Sequence, residues 1–265
     1  MADAHPVTVR ALDDSVAVIA GGTSGIGLAA ARRLAQAGVT RIVLCGRDEA
    51  RGNAARDALA ADAGAADIRF VAADVATVAG AERLIEQATQ AFRRVDVLVN
   101  AAGVTDLPRL LHEIPLDQVG GIVERGLLGV LLPTRAVLPA MMAQNGGSVV
   151  NIASDAAKLA TPGESVIGAV MAAILMFSRT AAIEAKRSGI RVNCITPSIV
   201  RGTALYDRLM ADEFCGKLFG KAERLADLGV AEADDLAALV VFLASPAAAK
   251  LTGQGISVNG GISAA

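Results

Sequence analysis

"SVAVIAGGTSGIG", residues 15–27, runs from an unbroken apolar stretch into glycines at 21, 25 and 27. A short continuous apolar run followed at once by glycines reads as a parallel strand covered on both faces. The glycines suit a tight turn, a close approach of backbone to a pyrophosphate, and close packing of the following helix on the strand. Ser24, Gly25, Ile26 and Gly27 open that helix, whose free N–H groups and dipole favour phosphate. The other reading is that these glycines serve only the turn and the packing.

Outward from this stretch the pattern repeats. Apolar runs at 41–46, 68–74, 95–100, 147–154, 190–197 and 255–260 join 15–20 as strands. Helix-length segments at 25–37, 48–63, 78–92, 117–144, 165–188 and 233–244 lie between them. This alternation predicts an α/β fold: one doubly wound, Rossmann-like parallel sheet of about seven strands with helices on both faces. Ligands of such sheets bind beyond the carboxyl ends of the strands, at the switch point. No linker or repeat divides the chain, so residues 1–265 form one domain, with a short extension at 1–12 and a helical cover at 201–228.

Composition narrows the function. Hydrophobic residues are 53% of the 265, enough for one large core, and a net charge of −2 gives no reason to expect nucleic acid or an anionic membrane. Cys45, Cys194 and Cys215 have no paired spacing for a metal or a redox couple, so reduced thiols and a cytoplasmic location are expected. The first residues lack the charged and apolar regions of a signal peptide. Two apolar stretches need a membrane check: the one at 126–143 carries Pro133 and Arg135, and the one at 166–177 is too short to span. Both read as buried helices.

After the second strand stand Gly46 and Arg47, where an acidic residue would favour NAD. Arg47 suits a 2′-phosphate and favours NADP, or else is a solvated arginine at a helix start. Asp74 and Val75 follow the third strand; Asp74 either accepts from an adenine amino group or caps the next turn. Asn100 and Gly103, after the fourth strand, are expected beside the adenine ribose.

Together "GGTSGIG", "CGRDE", "LVNAAG", "GGSVVNIAS", "SGIRVNCITPS" and "LASPAAAKLTGQGISVNGG" resemble the short-chain dehydrogenase/reductase family over residues 13–261. The resemblance implies hydride transfer between NAD(P) and a carbonyl or alcohol, no metal, and Pro197 in the cofactor site. It also implies a catalytic serine, tyrosine, lysine and asparagine. Position by position, Ser154 matches the serine, while Ile167, Met171 and Gly126 stand at the tyrosine, lysine and asparagine. Ala20, Ala101 and Ser198 are smaller departures.

Isoleucine moves no proton and methionine carries no charge, and losing a positioned acid/base group costs roughly 10²- to 10⁴-fold in rate. The expectation is a catalytically inactive subunit that pairs with an active homologue, an alcohol or 3-hydroxyacyl-CoA type dehydrogenase subunit, or with itself, through the apolar helices at 117–144 and 165–188. An NADP-dependent oxidoreductase with relocated groups (Tyr206, Asp155 or Lys158) and a nucleotide-binding sensor are the alternatives. Whether the chain is itself an enzyme stays open at this point. His112 reads as a surface residue, and Ser154 as a substrate contact or a strand-end hydrogen-bonding residue.

Overall fold

A computed structural model describes residues 9–64 and 66–265, so most of the short N-terminal extension lies outside the described residues. Val16–Ala20 form β1, with every side chain buried. Its alternate residues feed different cores. Ala17 and Ile19 point to one face of the sheet, Val18 and Ala20 to the other.

Arg41–Gly46 (β2), Asp67–Ala72 (β3), Val97–Asn100 (β4), Gly147–Ile152 (β5), Ile190–Pro197 (β6) and Gly255–Val258 (β7) complete the sheet. The strand order is β3-β2-β1-β4-β5-β6-β7, and every pairing is parallel. The order reverses between β1 and β4, which opens a crevice at their carboxyl ends.

Gly25–Gln36 (α1), Glu49–Ala63 (α2) and the late helix Ala233–Ala244 cover one face, burying Leu34, Leu59, Leu236 and Val240. Val78–Phe92 (α3) covers the other with Leu84 and Ile85. Side chains stop fraying at helix starts: Asp48 accepts from the Arg51 N–H, and Thr77 from that of Gly80.

The segment expected as one helix over 117–144 is three pieces: Leu116–Val123 (α4), a π-helical turn at Glu124–Leu128, and Gly129–Ala143 (α5). Gly126 lies inside the π turn, where a Cβ would stand 2.4 Å from Val104 Cγ2 and 2.8 Å from Val170 Cγ1. That close pass requires glycine. Ser165–Ala185 (α6), the crossover from β5 to β6, packs beside it and continues into a 3₁₀ turn at Lys186–Ser188. Both long helices reach the length and hydropathy of a membrane span, 1.5 and 1.9, the second because the helix runs well past the apolar stretch first noted. Their inner sides are in the core: Val137 and Met141 from α5, Ile174 and Ala182 from α6.

The cover at 201–228 is a pair of helices, Ala204–Ala211 (α7) and Glu213–Glu223 (α8), with the chain breaking at Asp212, whose carboxylate caps α8. Leu209, Cys215 and Phe219 bury a small core of their own. Arg208 donates to the Thr105 carbonyl at 2.9 Å, and Arg109 N–H donates to the Gly163 carbonyl at 2.9 Å. The first of these bonds holds the cover over the carboxyl ends of the strands. The helix Ala233–Ala244 is α9.

Candidate functional site

A cleft of about 510 Å³ opens at the carboxyl ends of β1, β4, β5 and β6 beneath α7 and α8. Its nucleotide end is built from the turns after the first four strands. Gly21, Ser24, Gly25 and Ile26 follow β1; Arg47 follows β2; Asp74 and Val75 follow β3; Gly103 follows β4. Gly21 has φ +79°, and a Cβ there would lie 2.6 Å from the Ala102 nitrogen. Gly27 lies behind the loop, where a Cβ would meet the Gly21 carbonyl oxygen at 2.2 Å. Its role is therefore packing of α1 on the turn.

The same loop leaves room on the cleft side. A Cβ on Gly25 would meet only Thr203, at 3.6 Å, and at Gly103 nothing stands within 4 Å. Ser24 caps α1 by position but not with its hydroxyl. Asp74 accepts from the Ala76 N–H at 3.0 Å, capping its own turn while still lining the cleft. Arg51, one helical turn after Arg47, lines the same end, a second cation the sequence reading did not single out. Open glycine backbone, a helix N-terminus and two arginines fit a dinucleotide phosphate carrying a further phosphate.

Asn100 is elsewhere. Its side chain is fully buried and donates to Thr134 Oγ1 at 2.9 Å and Asn151 Oδ1 at 2.8 Å; Asn151 donates in turn to Ser178 Oγ at 2.8 Å. This chain ties β4 and β5 to the two long helices. The Asn100 side chain does not line the cleft, and among the described residues its Oδ1 has no hydrogen-bond partner.

Ser154, Ile167, Met171 and Pro197 bring the other end together. Ser154 Oγ accepts from the Ala156 N–H at 3.2 Å, capping a 3₁₀ turn at Asp155–Ala157. Ile167 and Met171, four residues apart on α6, are 8% and 6% exposed. They pack with Ile122, Val130, Val166 and Val170. Gly126 lies behind this wall rather than in the cleft.

The other ionisable candidates are engaged in bonds of their own. Asp155 is buried and accepts from Ser257 Oγ at 3.1 Å, Ser263 Oγ at 2.9 Å and the Asn259 side-chain amide. Lys158 Nζ donates to the Gly255 carbonyl at 3.0 Å, Ser257 Oγ at 2.9 Å and the Ala265 oxygen at 2.9 Å. Both strap the last residues onto the sheet. Tyr206 lines the cleft, but its hydroxyl donates to Glu223 Oε1 at 2.6 Å, and Arg201 holds the same carboxylate at 3.2 Å. His112 is exposed on a 3₁₀ turn, Leu111–Glu113.

Glu164 was missed. It stands one turn before Ile167, at the start of α6, and lines the cleft without using its side chain to cap the helix. Burial pushes its carboxyl up to about 6, with a weaker opposing pull from Thr161. Nothing in the sequence marks this glutamate, because its distinction comes from what α8 and the cover place around it. The thiols are quiet: burial pushes Cys45 and Cys194 up to about 12 and Cys215 up to about 11. Among the described residues no cluster of His, Cys, Asp and Glu is assembled to hold a metal.

Comparison with known proteins finds relatives along nearly the whole chain. The family model described as "Enoyl-(Acyl carrier protein) reductase" matches residues 20–263. A 3-oxoacyl-[acyl-carrier-protein] reductase from Synechocystis sp. is 33% identical over 257 residues, covering 96% of this chain and 99% of its own. Among solved structures, levodione reductase superposes with a TM-score of 0.88 at 29% identity, covering 94% of this chain and 97% of its own. A short-chain type dehydrogenase/reductase from Mycobacterium ulcerans superposes at 0.87 with 27% identity, covering 94% and 90%.

Proposed function

The chain belongs to the short-chain dehydrogenase/reductase family of oxidoreductases, and from that premise we propose that it is a non-catalytic member. It binds NADP in preference to NAD, transfers no hydride by itself, and acts as the structural or regulatory partner of a homologous, catalytically intact subunit, in the cytoplasm. The observation that carries this reading is the hydrocarbon wall of the cleft. Ile167 and Met171 stand buried at the positions where the family resemblance expects the proton donor and its cation. Gly126, where it expects the asparagine, has no space for a side chain.

Hydride delivered to a carbonyl carbon leaves an oxyanion that must take a proton as it forms. Here Ser154 Oγ accepts from the Ala156 N–H in a turn, and the hydroxyl, ammonium and carboxylate of Tyr206, Lys158 and Asp155 are tied to other partners. A bound dinucleotide supplies a hydride donor or acceptor. The chain's own residues would hold it through the loop at Gly21–Gly27 and the guanidinium groups of Arg47 and Arg51. Met171 offers its ribose no charge.

The partner reading rests on the outer sides of the long helices, where Leu116, Val123 and Met142 on one and Met176 and Ile183 on the other are exposed. Apolar surface gathered on two adjacent helices favours burial against another subunit. The open nucleotide end also supports a sensor role, in which dinucleotide binding without turnover is the whole function. Titration of the purified chain with NADPH, read by nucleotide fluorescence, tests the common core of both. Binding without oxidation across a panel of ketones and 3-oxoacyl thioesters is expected; steady turnover by the homogeneous chain would overturn the proposal.

A further inference from the structure

We propose that the substrate end of the cleft is a binding site for an apolar molecule carrying a protonated amine, with the Glu164 carboxylate as the anchor for the amine. This goes beyond the function proposed above and stands whether or not the chain pairs with a homologue.

Three observations converge on it. The walls around this end are hydrocarbon: Ile167 and Met171 from α6, Leu209 from α7, Leu218 and Phe219 from α8, and Ile262 from the C-terminal segment. A site so lined recognises apolar bulk and takes its selectivity from few polar groups. Secondly, the ionisable groups that share the cleft are already committed. Asp155 is saturated by the C-terminal segment and Tyr206 by Glu223, and Arg125 pairs with Asp106 at 2.9 Å. Arg47, Arg51 and Asp74 belong to the nucleotide end.

Thirdly, no ion pair to Glu164 is formed among the described residues. Its environment is set by burial and by Thr161, without contribution from lysine or arginine. The charged and titratable groups packed nearby are on the cover and its approach: Cys215 on α8 and Asp212 at its cap, with Arg109 acting on both. The Arg109 backbone N–H donates to the Gly163 carbonyl, next to Glu164. A carboxylate facing hydrocarbon without a counter-charge is costly to keep ionised, and a ligand cation removes that cost. Such a site repels carboxylate ligands and holds neutral apolar ones by its walls alone.

The full chain, without nucleotide, is titrated calorimetrically with n-octylamine, n-octanol and octanoate as probes, below their micellar range, at pH 7.5 and at pH 5. Octylamine is expected to bind at pH 7.5 and up to about tenfold more weakly at pH 5, where Glu164 holds its proton. Glu164→Gln is expected to cost at least tenfold in octylamine affinity at pH 7.5 and to leave octanol unchanged. Ile167→Trp, which fills the cavity and keeps the carboxylate, is expected to abolish binding of both. Equal octylamine affinity in Glu164→Gln, or octanoate binding as tightly as octylamine, would overturn the proposal. Labelling by the apolar reagent dicyclohexylcarbodiimide, read by peptide mass spectrometry, gives an independent readout in the unmodified chain. Glu164 is expected to be modified and to be protected by octylamine; absence of label there would also count against the site. Neither experiment requires a dinucleotide or a partner chain, so failure here leaves the non-catalytic reading standing.

Discussion

Replacing Met171 by lysine puts an ammonium at a position that is 6% exposed and packed among Ile167, Val170, Ile174 and Leu175. Burial disfavours the charged form and lowers a lysine pKa, by up to roughly 3–5 units when desolvation is complete. One side of position 171 faces the cleft, so a drop of about 2.5 units, from about 10.4 to about 8, is the appropriate scale. At about 1.36 kcal/mol per unit this destabilises the folded chain by about 3 kcal/mol at pH 7.

The pH dependence follows. Between the folded and unfolded pKa values the unfolded chain binds more protons, so the variant gains stability relative to the parent as pH rises. At pH 9.5 the deficit should shrink to about 1 kcal/mol. Urea unfolding followed by circular dichroism, at matched protein concentration and at both pH values, measures it, with Met171→Leu as the packing control. A Met171→Lys variant as stable as the parent at pH 7, or a deficit that ignores pH, would refute the reasoning. Either result would mean that the wall at 171 is already wet and ready for a cation.

Three further outcomes are expected. Gly126→Ala forces a methyl against Val104 and Val170 and should destabilise by about 1–3 kcal/mol; thermal unfolding of Gly126→Ala/Val170→Ala should recover part of it. Arg47→Ala should weaken NADPH by at least tenfold while leaving NADH within about twofold, as loss of a charge-assisted contact of roughly 1.5–3 kcal/mol requires; fluorescence titration reads both. Burial holds the Glu164 proton to about 6 rather than 4.5, so the folded state binds more protons in that interval and its stability falls as pH rises through it. Glu164→Gln should therefore match the parent near pH 4.5 and exceed it by about 2 kcal/mol at pH 7.5 in urea unfolding.

Residues 15–27 carried most of the architecture, because a parallel strand buried on both faces leaves a continuous apolar run and the turn after it demands glycine. The strands at 41–46 and 190–197 appear with the bounds read from the sequence for the same reason. The break at Glu124–Leu128 was not legible, since Gly126 within it packs against Val104 and Val170, residues distant along the chain. The cover was visible as helical, but its division at Asp212 depends on one carboxylate serving as a cap.

At the site, identity was readable and commitment was not. The sequence displays Ile167, Met171 and Gly126, but only the fold reveals that Asp155 and Lys158 are bound to the C-terminal segment and Tyr206 to Glu223. Asn100 illustrates the converse. Its place at the end of a strand suggested a ribose contact, and its amide instead bridges Thr134 and Asn151 below the cleft floor. Glu164 and Arg51 escaped notice because burial, in one case, and a shared cleft edge, in the other, are properties of neighbours rather than of residue type.

The most direct test is native mass spectrometry of the untagged protein purified from its own source, with every chain present identified by peptide sequencing. The account predicts a mixed assembly in which this chain accompanies a homologue that keeps the tyrosine and lysine missing here. An assembly of this chain alone, turning over a dinucleotide, would contradict it.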